Sequence, residues 1–520
     1  MLINDYIRRM ARVHPEKKAI LFKDESISYG TLHKKTRQMA GLLREKGLVK
    51  GDRVGVLMPN CIENVLSLLS ILELGCIEVQ PSMDLDIPAM IDFFEKTEIS
   101  GLILKQIDSQ TARTIISAFP FLRVIVLNSN PAGGDSFTDM ESIDTFETDK
   151  NAKNETVNET DYALIQHTSG STGRPKGVVL TQRNFISASL SWLERWQMGE
   201  NARLLNLLPL SHSCSKSLVF ASLVKGITLV LSNGFVSPLS FLKTIKKNRV
   251  TIITGPPFIF YYLLKLKGNQ IVLDELKDHL KCFEIGLSSV SPRLIHDLKA
   301  VFPWITVVIR YGLTENAGAA ASMYHYPDKE ILKPESCGKP GSINRVEISK
   351  ENGEIVIRGD NVMAGYWEDI QLGRYYDYAN RGFPTGDIGE KDMRGYLYIK
   401  GRKDEMIKIN GYKVYPPEIE KLLQSVLNTD AVAVFSEADT DAENRIVACY
   451  RSEAENMEQR LVSLCREKLP SHAVPQKFIR IEEPFPMNSN GKINKRKLVE
   501  QIKAVPERPG GTGGRCEQDI

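Results

Sequence analysis

Residues 53–72 read RVGVLMPNCIENVLSLLSIL, and this stretch sets the fold class. Arg53 to Met58 is a short β-branched run. After the Pro-Asn break, Ile62, Val65, Leu66, Leu69 and Leu72 recur at helical spacing and predict a helix with one apolar stripe. Working outward, Ile99 to Leu104 and Leu122 to Leu127 read as further strands, with a helical pattern from Asp108 to Ala118 between them. Strands alternating with helices predict an α/β fold with mostly parallel sheets covered on both faces. Residues 128–161 interrupt the pattern with Asn, Gly, Ser, Thr, Asp and Glu and read as an exposed connection. The alternation resumes at Tyr162 and runs to about Ile309. A second boundary is expected at GRKDE (401–405), ahead of a smaller basic unit, and PGGTGG in the last residues predicts a disordered tail. There are no internal repeats.

Composition narrows the function. The chain has 520 residues with a formal net charge of +3, so neither nucleic acid nor an anionic membrane is indicated as a partner. No run reaches the roughly 18 apolar residues of a membrane span; the stretch from Val65 to Ile77 is broken by Glu73. The eight cysteines are scattered without a C-x-x-C pair, which predicts neither a zinc site nor a disulfide framework but a reducing, cytoplasmic compartment. The first residues, MLINDYIRRMARVHPEKK, lack the apolar core of a signal peptide and read as an amphipathic helix.

The segment TSGSTGRPKG (168–177) follows the β-like Tyr162 to Ile165. Its glycines (Gly170, Gly173 and Gly177) let backbone N–H groups approach phosphate oxygens. Thr168, Ser169, Ser171 and Thr172 supply hydroxyl donors, and Arg174 and Lys176 balance anionic charge. It is not a Walker loop, because Pro175 precedes Lys176 and Gly177 follows it. A surface turn would use the same residue types, but the cations favour a triphosphate. A serine hydrolase lacks its G-x-S-x-G elbow here, and a dinucleotide enzyme lacks G-x-G-x-x-G after a strand.

With this loop the chain resembles the acyl-adenylate-forming superfamily of acyl-CoA synthetases, peptide-synthetase adenylation domains and luciferases. Further segments carry the resemblance in order: YGLTE (311–315), TGD (385–387), GRKDEMIKINGYKVYPPEIE (401–420) and PMNSNGK (486–492). The resemblance implies a large domain over residues 1–403, a small mobile α+β lid over 404–503 and a tail over 504–520. It implies that Thr168, Ser169, Gly170, Ser171, Thr172, Gly173 and Lys176 hold the phosphates of ATP, and that Tyr311 stacks on adenine. Thr314 is then expected on the α-phosphate, Glu315 on Mg²⁺, and Asp387 and Arg402 on the ribose. Lys492 is expected to serve the first half-reaction, stabilising charge at phosphorus. Lys408 is expected to serve the second, with Gly411 in the thiol tunnel and Asp404 as the hinge. Glu405 stands where relatives usually carry Asp.

For the acid, the resemblance points to LPLSH (208–212), with His212 at the entrance of the acyl pocket, and to Gly286 in GLSS. No Asp holds an amine there, which argues against amino-acid activation. Lys216 has two readings: a pocket lysine that pairs with a polar group of the acid, or a solvent-facing lysine at a helix start. The expected activity is acid activation with ATP and Mg²⁺ followed by transfer to coenzyme A. The rivals are transfer to a carrier protein's phosphopantetheine, since Ile165 to Ser169 also resembles loops of such ligases, and a catalytically inactive adenylate-binding protein. The short run from Asp387 to Arg402 leaves no room for the insertion of fatty-acyl-AMP ligases. The identity of the acid is not written in the sequence.

Overall fold

The computed structural model describes residues 1–504 except 84, 128–139, 142–155, 169–175, 196–197, 236, 326–328, 330–332, 410–411, 428, 430, 439–443 and 489–491. The expected phosphate-loop residues Ser169, Gly170, Ser171, Thr172 and Gly173, the tunnel residue Gly411 and the C-terminal tail past residue 504 lie outside the described residues.

Two large sheets form the frame. One has nine strands, ordered Lys339–Pro340, Ala321–His325, Thr306–Tyr311, Cys282–Ile285, Ile252–Gly255, Arg203–Asn206, Thr228–Leu231, Lys18–Phe22 and Glu25–Ser28. The other has eight, ordered Gly365–Tyr366, Lys176–Thr181, Tyr162–Thr168, Ile77–Gln80, Arg53–Leu57, Gly101–Leu104, Arg123–Leu127 and Met140–Glu141. Both are parallel through the middle and antiparallel at an edge. This is the α/β architecture that the alternation predicts.

The expected helix after Arg53–Leu57 is present as Ile62–Leu74, but it carries no single stripe. Asn64, Ser67 and Ser70 are buried with the leucines, because the helix belongs to the core and has no face left for water. Its polar groups turn inward to backbone: Asn64 donates to Met58 and Pro59 carbonyls, and Ser70 Oγ donates to Leu66 and Thr36 carbonyls. Asn60, just before it, ties the two sheets together. Its amide donates to the carbonyls of Leu208 and Ser232, and its carbonyl accepts from Leu210 N at 2.8 Å. That fixes LPLSH against the loop that leaves Arg53–Leu57.

A charged contact crosses the same divide. Lys216, in the helix Ser213–Lys225, forms an ion pair with Glu78 of the strand Ile77–Gln80, and the two side chains are 1% and 0% exposed. The solvent-facing reading of Lys216 is therefore wrong. A buried ammonium needs a partner, and it finds one inside the protein.

A four-stranded antiparallel sheet, Arg345–Ile348, Glu354–Arg358, Phe383–Lys391 and Leu397–Arg402, carries TGD and GR on its last two strands. After it come the hairpin Ile407–Ile409 with Tyr412–Val414, a three-stranded sheet (Val432–Ala438, Asn444–Tyr450, Lys477–Arg480) and the helices Pro416–Leu427, Met457–Lys468 and Lys495–Ala504. The buried apolar residues of this stretch, from Ile407 to Leu498, form clusters of their own.

Removing one charge of the buried pair strands the other. Lys216→Met should lower stability by about 3–5 kcal/mol, and Lys216→Met with Glu78→Leu should recover most of that loss. Urea denaturation midpoints measure both, and a single variant as stable as the parent would contradict the internal pairing.

Candidate active site

The loop at 168–177 joins two antiparallel strands, so Thr168 and Lys176 stand opposite each other at its mouth. Thr168 Oγ1 donates to the Lys176 carbonyl at 3.4 Å. Gly177 is required by packing: a Cβ there would sit 2.9 Å from Ile165 Cγ2 and 3.1 Å from Trp367 Cβ. The Lys176 ammonium lies 4.7 Å from the centroid of the Tyr366 ring, and Tyr366 Oη donates to Glu315 Oε1 at 3.1 Å. The loop and YGLTE are thus linked through a tyrosine that sequence reading did not single out.

YGLTE is folded tightly. A Cβ on Gly312 would stand 2.3 Å from the carbonyl of Gly318, so no other residue fits. Thr314–Asn316 form one 3₁₀ turn, and Ala317 follows in the left-handed region at φ 52°. Asn316 Oδ1 accepts from Leu313 N, while Asn361 donates to the carbonyls of Asn316 and Ala319. This holds Thr314 and Glu315 at the end of the strand Thr306–Tyr311.

Tyr311 is buried, and its hydroxyl donates to Asp387 Oδ2 at 2.6 Å. The other oxygen, Oδ1, accepts from Arg402 Nη1 at 3.2 Å, and the same nitrogen donates to the Thr385 carbonyl. Arg402 Nε reaches Asp404 Oδ1 at 3.1 Å. Burial raises the pKa of Asp387, while Tyr311, Arg402 and Lys492 pull it down. Burial likewise raises Glu315; its own backbone, Tyr366 and Arg402 lower it, and Asp387 adds to the rise. Lys492 keeps an exposed surface, yet its ammonium is crowded enough that desolvation lowers its pKa. Asp387 and Glu405 counter that lowering, and Arg402 reinforces it. These interactions place Lys492 beside Asp387, Arg402 and Glu405, although the chain reaches it only after the whole C-terminal unit.

The structure therefore brings Lys176, Glu315, Tyr311, Asp387, Arg402 and Lys492 into one neighbourhood. It does not bring Lys408 there. Lys408 is exposed on the hairpin strand Ile407–Ile409, opposite Lys413. Glu315 fits a magnesium ion bound to phosphates: its carboxylate is held by Tyr366, and burial raises its pKa, so a cation beside it would offset the cost of its charge. Among the described residues no group of three His, Cys, Asp or Glu side chains forms an all-protein metal cage, and Mg²⁺ held mainly by phosphate oxygens needs none.

On the acid side, His212 caps the start of the helix Ser213–Lys225. Gly286 lies against Arg310: a Cβ there would be 3.2 Å from the Arg310 carbonyl and 3.6 Å from its Nε. Lys216 points to Glu78 rather than to a ligand group. Sequence reading missed Arg310, Glu284, Trp192, Tyr366 and Glu78. The signal for two of them was available: an arginine inside the β-branched VVIRYG and a carboxylate inside the buried IEVQ both call for a partner.

Comparison with known proteins covers nearly the whole chain. Residues 7–367 match the AMP-binding enzyme family, and residues 418–492 match the AMP-binding enzyme C-terminal domain. The chain is 28% identical over 504 residues to a 2-succinylbenzoate–CoA ligase of Bacillus licheniformis, covering 95% of this chain and 99% of that one. It is 30% identical over 515 residues to the long-chain-fatty-acid–CoA ligase FadD13 of Mycobacterium tuberculosis, covering 96% and 98%. The fold is similar to that of the anthranilate CoA ligase AuaEII in complex with anthranoyl-AMP, with a TM-score of 0.83 at 21% identity over 96% and 97% of the two chains.

Two buried imidazoles give a pH signature. His167, just before the phosphate loop and edge-on to Phe93, and His325, on the strand Ala321–His325, are both held down to about 4 by burial. Unfolded histidine binds its proton near 6.5, so the unfolded chain takes up more protons below that pH. Stability is then full above about pH 6.5 and falls toward pH 4, by about 2 kcal/mol per histidine at pH 5. Urea midpoints at pH 7 and pH 5 should differ accordingly. His325→Gln should shrink that difference, and an unchanged difference would remove His325 from the account.

Proposed function

The chain belongs to the AMP-binding enzyme family, and from that membership we infer how its residues divide the work. It is an AMP-forming acid–thiol ligase. It activates a carboxylic acid with ATP and Mg²⁺ as a bound acyl-adenylate, releases pyrophosphate, and transfers the acyl group to the thiol of coenzyme A. The observation that carries the residue assignment is the convergence of Lys492, Asp387 and Arg402 beside the Tyr311–Thr314–Glu315 turn.

In the first half-reaction two anions must meet, the acid's carboxylate and the α-phosphate. The Lys492 ammonium offsets their repulsion and the charge that grows as pyrophosphate leaves. Thr168 and Lys176 sit at the mouth of the loop that cradles the outer phosphates, and the Lys176 cation balances their charge. Thr314 offers its hydroxyl to the α-phosphate. Tyr311 presents a flat ring for adenine, pinned by its bond to Asp387. Asp387 and Arg402, which already hold each other, take the ribose hydroxyls. Glu315 would hold the magnesium ion, which neutralises phosphate charge when bound.

The second half-reaction is assigned to the 404–503 unit. Its separate apolar clusters support motion as one body about Asp404, which withdraws Lys492 and presents Lys408 and Gly411 to the thiol. His212 and Gly286 are assigned to the acyl pocket. Lys216, paired with Glu78, is assigned to the frame behind it. A cytoplasmic location is supported by the burial of the seven described cysteines as thiols. No helix among the described residues is long and apolar enough to cross a membrane.

Lys492→Ala should cut acid-dependent ATP–pyrophosphate exchange by about 100-fold or more and leave thioester formation from supplied acyl-adenylate largely intact. Lys408→Ala should do the reverse. Equal damage to both steps by either change would defeat the division of labour. Asp387→Asn should raise the KM for ATP by about tenfold, since it weakens the charged partner of Arg402 and of the ribose. Thioester formation tested with coenzyme A beside a panel of carrier proteins checks the acceptor.

A further inference from the structure

Behind the adenine platform lies a narrow cavity of about 10 Å³, lined by Trp192, Glu284, Arg310, Ala319, Ser322 and Tyr324 among others. Side chains alternate along a strand, so Arg310 points away from the face that Tyr311 gives to the nucleotide. Cross-strand pairing sets Arg310 opposite Ser322. The residues expected to bound the acid meet here: Gly286 packs on Arg310, Cys214 of the run after His212 touches it, and Ala319 lines the same space.

Arg310 is only 6% exposed, and Glu284 beside it 3%. Its guanidinium lies 3.6 Å from the centroid of the Trp192 ring, which clamps its plane. Its three nitrogens are poorly used. Nε stands 3.7 Å from Glu284 Oε1, beyond hydrogen-bond length. Nη2 donates to Cys214 Sγ at 3.2 Å, a weak acceptor. Nη1 is buried and has no hydrogen-bond partner. A buried guanidinium with unfilled donors is costly. Here the charge is balanced by Glu284, whereas the donors are not. A second carboxylate in this place would stand against Glu284, while a neutral oxygen would fill the donors without adding charge.

We propose that Arg310 selects the acid, reading a neutral oxygen acceptor, oxo or hydroxyl, that the substrate carries beyond the carboxyl group being activated. The inference rests on the adenylation reading and deepens it by naming the class of acid: an oxo or hydroxy acid rather than a plain alkanoic or dicarboxylic one. Gly286 belongs to the same device, since a Cβ there would press on the Arg310 carbonyl at 3.2 Å and touch its side chain at 3.6 Å, so a bulkier residue would crowd the guanidinium.

The experiment is pyrophosphate release by the full chain with ATP and Mg²⁺, using matched acids: pentanoate, levulinate and glutarate in the aliphatic series, and benzoate, para-hydroxybenzoate and terephthalate in the aromatic series. In at least one series the oxygenated acid should exceed the plain acid in kcat/KM by about 10- to 150-fold, the range for a hydrogen bond to a charged donor. Arg310→Met should bring that ratio close to one. Since Arg310→Met alone strands Glu284, Arg310→Met with Glu284→Gln is measured beside it, and ATP binding certifies a folded site in each. An oxygenated-to-plain ratio that survives in the double variant overturns the assignment, as does a parent enzyme that prefers plain acids, glutarate or terephthalate. If plain and oxygenated acids alike release no pyrophosphate while ATP still binds, it is the adenylation reading itself that fails, and the assignment falls with it.

Discussion

Between the two large sheets a lysine and a glutamate meet with almost no surface exposed to water, and the placing of the site follows from that meeting. Lys216 sits one turn into the helix that begins at His212, and Glu78 lies on the strand that pairs with Tyr162–Thr168. The acyl side of the site hangs from the helix, and the phosphate side hangs from the strand. Neither charge tolerates losing the other in an interior where desolvation is expensive, so the two sides are locked in one relative position. Asn60 reinforces the lock with three hydrogen bonds to the segments around LPLSH.

A second polar chain runs from the nucleotide platform to the hinge. Tyr311, Asp387, Arg402 and Asp404 are joined by successive hydrogen bonds. Beyond Asp404, Lys495 forms ion pairs with Glu405 and Glu420, and it opens the last helix three residues after Lys492. The proposed rotation at Asp404 would therefore alter partners that reach back to Tyr311. The Glu405 carboxylate stands 3.7 Å from the Lys495 ammonium. With Lys492 near Asp387 and Lys408 exposed, the arrangement suits the first half-reaction as proposed, in which the carboxylate and phosphate must be brought together.

Much of this was legible in the chain itself. Strand and helix periods gave the α/β class, because the pleat and the helical turn impose their spacing wherever a face is buried. Gly312 and Gly177 were readable as motif glycines, and the structure gives their reason, since backbone and packed side chains occupy the space a Cβ would need. The helix Ile62–Leu74 was less legible. Its serines and asparagine looked like a polar face, but Asn64 and Ser70 bond backbone carbonyls and Ser67 Oγ donates to Met39 Sδ, which leaves a helix free to be buried on every side. Lys216 was misplaced for a related reason: a single sequence position carries no record of a partner so far away along the chain.

The sequence by itself determined the local grammar: where strands and helices form, which loop suits phosphates, and which chemical groups are offered. Such features depend on neighbours a few residues apart. Only the tertiary structure decided which offered groups meet. Lys216 with Glu78, Tyr366 with both Lys176 and Glu315, and Arg310 with Trp192, Glu284 and Cys214 are contacts across sheets and helices. Their strength comes from exclusion of water, and that exists only once the chain has folded.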